Sequence, residues 1–202
     1  MKIIRKVLYY VKRRWRSLCC NNVIYGYDEF VDLKVGDALL YYKIFPFLNK
    51  YDSVKYTYHS NNWQILELAK QLNLLGLSVD IIDRDSDINK IKLSDKYEVF
   101  IGLAVGNSGK NFASIASMVP SAKRIIYAAG PEPTLSNKLI KERYLNLYKR
   151  RGASLEPRRV ITKVDFSQCI SNADAIFCVG NSFAINSFKR FDIPIYQIYP
   201  ST

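Results

Sequence analysis

Between residues 60 and 76 apolar side chains return every three or four positions. Ile65, Leu66, Leu68, Ala69, Leu72 and Leu75 line one face of a predicted helix, and Lys70, Gln71 and Asn73 are expected to face away. Ser60, Asn61 and Asn62 come just before, with side-chain oxygens suited to capping the exposed amides of a helix start, and Gly76 supplies the left-handed residue on which helices end. Upstream, Val54, Tyr56 and Tyr58 alternate as in a strand. Downstream, residues 79–82 are a short run dominated by apolar side chains, as in a parallel strand covered on both faces. Residues 53–85 therefore predict a strand, a helix and a second strand. Burying a Leu or Ile side chain contributes about 1.5–3 kcal/mol, so a stripe of this size predicts packing against a sheet.

The alternation continues to the end of the chain. It predicts a weak helix at 87–92, a strand at 97–103, a polar glycine loop at 106–110, a short helix at 112–118 and a strand at 124–127. A long helix follows at 135–151, closed by Gly152, with Lys149, Arg150 and Arg151 at its negative dipole end. Then come a strand at 175–179 running into Gly180 and Asn181, a helix at 182–189, and a last strand at 195–198 opened by Pro194. Five or six strands interleaved with helices predict a Rossmann-like, doubly wound, mostly parallel α/β sheet over residues 53–202. Residues 21–52 are rich in Tyr and Phe and are broken at Phe45-Pro46-Phe47. They are expected to be a connecting segment, so residues 1–52 stand apart from the domain.

Composition narrows the class. A chain of 202 residues that is 49% hydrophobic can form one sizeable core and is unlike a disordered protein. Its uncharged runs fall short of the roughly 18 apolar residues that span a bilayer, and the first thirty residues lack a signal-like core. A cytoplasmic protein is expected. Cys19, Cys20, Cys169 and Cys178 form no CxxC pair, and with a single histidine no zinc ligand set is present.

The net charge of +12 is unevenly spread. Lys2, Arg5, Lys6, Lys12, Arg13, Arg14 and Arg16 precede the first acid, Asp28, while Ile3, Ile4, Val7, Leu8, Val11, Trp15 and Leu18 share one helical face. This basic amphipathic helix, residues 2–18, suits an anionic membrane surface, where each cation contributes about 1 kcal/mol. Docking on its own domain, basic side to solvent, is the alternative. No helix-turn-helix, RNA-recognition or zinc-finger pattern accompanies the charge, so nucleic acid is not an expected partner. The expected location is peripheral, at the inner membrane face.

In a parallel α/β sheet, ligands sit outside the carboxyl ends of the strands. The predicted elements deliver there His59, Ser60 and Asn61; Asp83 and Asp85; Gly106, Asn107 and Ser108; Gly130 and Glu132; and Gly180, Asn181 and Ser182. Small amides and hydroxyls beside helix starts suit sugars or phosphates. Turns also favour Gly, Asn and Ser for backbone reasons alone. His59, the only histidine, can take a proton near neutral pH, or it can merely cap the neighbouring helix. Residues 104–110, AVGNSGK, match most of a phosphate-cradling loop, but Asn111 stands where such loops carry the magnesium-binding hydroxyl. The turn after Tyr58 has no glycine, which argues against a dinucleotide fold.

His59-Ser60-Asn61 with Gln64 and Glu67, then Leu68-Ala69, Leu75-Gly76 and Val79-Asp80, resembles the opening βαβ unit of bacterial GT-B glycosyltransferases of the family 1 and family 4 type. Ile126-Tyr127, Gly130, Asn137, Arg143-Tyr144, Arg150-Arg151-Gly152, Leu155 and Pro157-Arg158-Arg159 resemble a stretch found in one group of these enzymes. Ala175-Ile176-Phe177-Cys178, Gly180-Asn181 and Pro194-Ile195-Tyr196 resemble the strand, turn and strand that close their N-terminal domain. The resemblance runs over roughly residues 53–200. It implies the acceptor-side half of an enzyme that transfers a sugar from a nucleotide-sugar donor to a cell-surface polysaccharide or glycolipid. The donor is held mainly by a C-terminal domain, which would begin where this sequence stops at Thr202. A truncated enzyme, a fragment, or one chain of a split enzyme completed by a donor-domain partner is expected. His59 is then the candidate catalytic base, and Ser60, Asn61, Asn107, Ser108, Gly130, Glu132, Gly180 and Asn181 are the candidate acceptor-binding residues. No metal is implied. The runner-up is a noncatalytic Rossmann-like binding or membrane-adaptor module.

Overall fold

The computed structural model describes residues 23–48, 60–104, 107–157, 160 and 166–199. Among these, seven strands form one sheet: β1 (Val23–Tyr27), β2 (Gly36–Tyr42), β3 (Leu77–Asp83), β4 (Tyr97–Leu103), β5 (Lys123–Ala128), β6 (Ala175–Val179) and β7 (Ile195–Ile198). Their order across the sheet is β1-β3-β2-β4-β5-β6-β7. Every neighbouring pair is parallel except β1 with β3, where β1 runs antiparallel along the edge. The helices are α1 (Phe45–Leu48), α2 (Ser60–Leu74), α3 (Asn107–Met118), α4 (Pro133–Arg151), α5 (Phe166–Ser171) and α6 (Ser182–Asn186), with a 3-10 turn at Ile88–Lys90.

Two cores follow from the alternation of side chains along the central strands. Leu39, Tyr41, Phe100, Ile126 and Ile176 point to one face, where Phe112 and Ile115 of α3, Val119 just after it, and Phe166 and Cys169 of α5 cover them. Ala38, Leu40, Tyr42, Ile101 and Leu103 point to the other, under Ile65, Ala69 and Leu72 of α2. The sheet is therefore an α/β sheet with helices on both faces, compatible with a Rossmann-like fold.

The largest correction concerns residues 23–48. They are not a connecting segment: β2 is bonded to β3 on one side and β4 on the other, so the boundary expected at residue 52 does not set this stretch apart from the sheet. Ala38, Leu39, Leu40 and Tyr41 are all fully buried, and a short strand covered on both faces shows no alternation to read. Asn73 is also corrected. It is wholly buried, with Nδ2 donating to the carbonyls of Tyr27 and Leu77 at 2.8 Å each and Oδ1 accepting from the Phe30 amide. The glycine loop expected at 106–110 is shorter, since α3 already starts at Asn107. α6 ends at Asn186 rather than at 189, and α5 had no counterpart in the sequence reading. The strand expected around 54–58 and the basic helix at 2–18 lie outside the described residues. α2 stops as expected at Gly76, whose φ of +83° is left-handed and where a Cβ would come within 2.7 Å of the Leu33 carbonyl oxygen. Among the described residues, no helix is long and apolar enough to cross a membrane.

Candidate functional site

The chain leaves β2 for β3 on one side and later passes to β4, β5, β6 and β7 on the other. Strand order thus reverses between β2 and β4, the place at the carboxyl ends of two strands where sheets of this kind form a crevice. α2 begins beside it on one face of the sheet and α3 on the other, so two helix N-termini flank this place. Ser60 and Asn61 lie in the first turn of α2, and Asn107 and Ser108 in that of α3. His59, the proposed base, lies outside the described residues.

The floor of the crevice is held by hydrogen bonds between the elements that meet there. Tyr41 Oη donates to the carbonyl of Arg84 at 2.8 Å and accepts from Asn111 Nδ2 at 3.0 Å, joining β2, the end of β3 and α3. The amide of Asn111, at the position where a phosphate-cradling loop would bind magnesium through a hydroxyl, is thereby engaged in the fold. On the opposite face, Tyr127 Oη donates to Gln64 Oε1 of α2 at 3.2 Å, and burial, with nearby Tyr42 adding to it, pushes the Tyr127 hydroxyl well above its ordinary pKa. It remains protonated at any physiological pH. Asp83, at the end of β3, accepts from the amides of Ile44 and Asp85 at 2.9 Å each and fixes the turn that leaves β2.

Farther along the same edge lie the residues expected after β5 and β6. Glu132 is buried and caps α4. Its carboxylate accepts from the Leu135 amide, from Thr134 Oγ1 at 3.0 Å and from Arg190 Nη2 at 3.1 Å, while its own amide donates to Ser187 Oγ. These contacts tie α4 to the segment after α6. Asn181 is exposed and caps α6 through the Ala184 amide. Gly180 has a φ of +142° and a Cβ there would stand 3.1 Å from that of Ala184, so the backbone itself calls for glycine. Gly130 differs. Its φ is not positive, and no atom lies within 4 Å of where a Cβ would be, so neither conformation nor crowding requires glycine at that point. The expected residues accordingly form a row along one edge of the sheet. The two helix starts meet at the crevice; Gly130 and Glu132 lie one strand over, and Gly180 and Asn181 two strands over.

Aromatic side chains on this edge escaped the sequence reading. Phe45 after β2 is 45% exposed, Trp63 in the first turn of α2 is 53% exposed, and Phe183 in the first turn of α6 is 52% exposed. Among the described residues, no group of three or more His, Cys, Asp or Glu side chains is arranged to hold a metal ion. The site offers hydrogen-bond donors, acceptors and flat apolar faces, a set suited to a polyhydroxylated ligand.

Comparison with family models, with curated proteins and with solved structures finds no match to this chain.

Proposed function

We propose that this chain is a glycosyltransferase-like acceptor domain of the GT-B type, binding a sugar or glycolipid acceptor at the carboxyl edge of its sheet. The observation that carries the reading is the company of exposed Trp63, Phe45 and Phe183 with the helix starts at Ser60 and Asn107. An aromatic face covers the C–H side of a pyranose, and amides and hydroxyls beside it address the hydroxyl rim. Gly130, with open space around it, lets a ligand approach the backbone. The resemblance of residues 53–200 to GT-B N-terminal domains supports the same reading. In it, the nucleotide-sugar is held by a donor-side domain, in the same polypeptide or in a partner chain, and His59 removes the proton of the attacking acceptor hydroxyl. Residues 2–18 hold the domain at the inner membrane face.

The test supplies a donor-side domain and an activated sugar and measures transfer to a glycolipid acceptor. His59→Ala is expected to lower the rate by about 10²-fold or more, the usual contribution of a general base. Trp63→Ala is expected to raise the acceptor concentration needed for half-maximal rate about tenfold, as loss of an aromatic anchor does. Full transfer by the His59 variant removes that residue from the chemistry. Unchanged acceptor dependence in the Trp63 variant removes the acceptor from this edge. The noncatalytic binding module becomes the better reading if the acceptor binds, with Trp63 required, while no donor-side domain brings transfer.

A further inference from the structure

We propose that the outward face of α4 is a docking surface for an anionic lipid bilayer. This inference does not depend on sugar transfer, and it concerns a segment remote in sequence from residues 2–18. α4 is 19 residues long and buries only Pro133, its first residue. It carries Lys138, Lys141, Arg143, Lys149, Arg150 and Arg151 against a single acid, Glu142. At 100° per residue, Tyr148, Lys141, Leu145, Lys138 and Lys149 fall within one arc of roughly a quarter to a third of the helix circumference. All five are exposed; Leu145 is 51% and Tyr148 is 55% exposed, and the Lys138 side chain is 71% exposed. Glu142 lies at the rim of the arc, 3.9 Å from Lys138, too long and too exposed a contact to neutralise the face.

Two observations choose the occupant. The first is charge, three lysines on the arc and no acid among them, which suits phosphate-bearing partners. The second is the placing of Leu145 and Tyr148 between the lysines. A leucine and a tyrosine on a lysine-framed helix face fit the boundary between headgroups and acyl chains, where apolar side chains sink and tyrosine lodges at the interface. A nucleic-acid backbone would use the lysines and leave Leu145 in water.

The experiment uses the full chain and cosedimentation with phosphatidylcholine vesicles, with and without phosphatidylglycerol. Wild type is expected to bind only the anionic vesicles. Lys138→Gln, Lys141→Gln and Lys149→Gln together are expected to weaken that binding tenfold or more, since each lysine near an anionic leaflet contributes about fivefold. The corresponding triple Arg variant is expected to keep it. Leu145→Ser with Tyr148→Ser is expected to remove the part of the binding that survives high salt. All these side chains are exposed, and an unchanged circular dichroism spectrum and melting temperature verify the fold of each variant. Vesicle binding that is absent, or that is unaltered in the Gln variant, overturns the proposal. So does a Gln variant that loses affinity for a short duplex oligonucleotide while retaining its affinity for vesicles.

Discussion

Asn73 shows how one polar residue can hold a fold together from inside an apolar stripe. It lies four residues after Ala69 and seven after Leu66, so helical geometry places it on the buried side of α2 even though its chemistry suggests the opposite. Its amide reaches the carbonyls of Tyr27 and Leu77, joining the end of β1 to the start of β3. Truncation to Ala would take a donor from two carbonyls and leave a cavity, at a cost of about 2–4 kcal/mol. Asn73→Asp should cost at least as much, because a carboxylate would face those two carbonyl oxygens without a proton to offer them. Urea midpoints decide this, and losses below about 0.5 kcal/mol for both variants would assign the joint to other groups. Asp80 plays a similar part, accepting from the Gly26 amide at 2.7 Å and from Tyr97 Oη at 2.9 Å, with Lys96 at 3.4 Å. Burial first, and then the charge of Asp80, pushes the Tyr97 hydroxyl far above its ordinary pKa and keeps it a donor. Neither role follows from residue type alone, because each depends on distant partners, 43 and 46 positions away for Asn73 and 17 and 54 for Asp80.

Between elements, the link with the clearest pH signature joins β5 to the residue just before β6. Asp174 accepts from the Arg124 amide at 2.7 Å, from Nε at 3.1 Å and from Nη2 at 3.0 Å, and its own amide donates to the Arg124 carbonyl. The hydrogen bonds from Arg124 outweigh partial burial and hold the Asp174 carboxyl below its ordinary pKa. A depressed folded-state pKa gives stability that is complete above the unfolded value, near 4, and that is lost as pH falls through the folded value. Asp174→Asn should therefore cost about 1.5–3 kcal/mol at neutral pH and little at pH ~2, making stability less dependent on pH in acid. Equal destabilisation at both pH values would show that the loss is packing. α2 has a wet side and a dry side, α4 has a glycine stop and a basic last turn, and both appeared with nearly their observed ends, including the Gly152 cap. β2 was missed, although its Leu-Leu-Tyr-Tyr run is buried throughout. Most of the candidate site was readable as a row of turn residues. Its aromatic members were not, because an exposed Trp looks like a core residue until the helix is placed.

For the molecule as a whole, missing β2 would have misplaced the point at which strand order reverses, and with it the site. β2 is bonded on both sides, to β3 and β4, and is covered on both faces, whereas among the described residues β7 is bonded only to β6 and leaves Tyr196 56% exposed. Local opening is cheapest where few groups must be uncovered, so stability should grade across the sheet from β2 outward to β7. Native-state hydrogen exchange should find the amides of residues 38–42 and 79–82 exchanging only through global unfolding. Those of residues 195–198 should exchange through a smaller opening, faster by orders of magnitude. Equal protection in β7 would mean that its free edge is covered by another segment or partner. The gradient bears on the proposed function because the crevice is walled on one side by β2, which is among the strands expected to open last. In the proposed reading, a wall that rises from so stable a strand stays in place before a ligand arrives, and so spares binding the cost of ordering it.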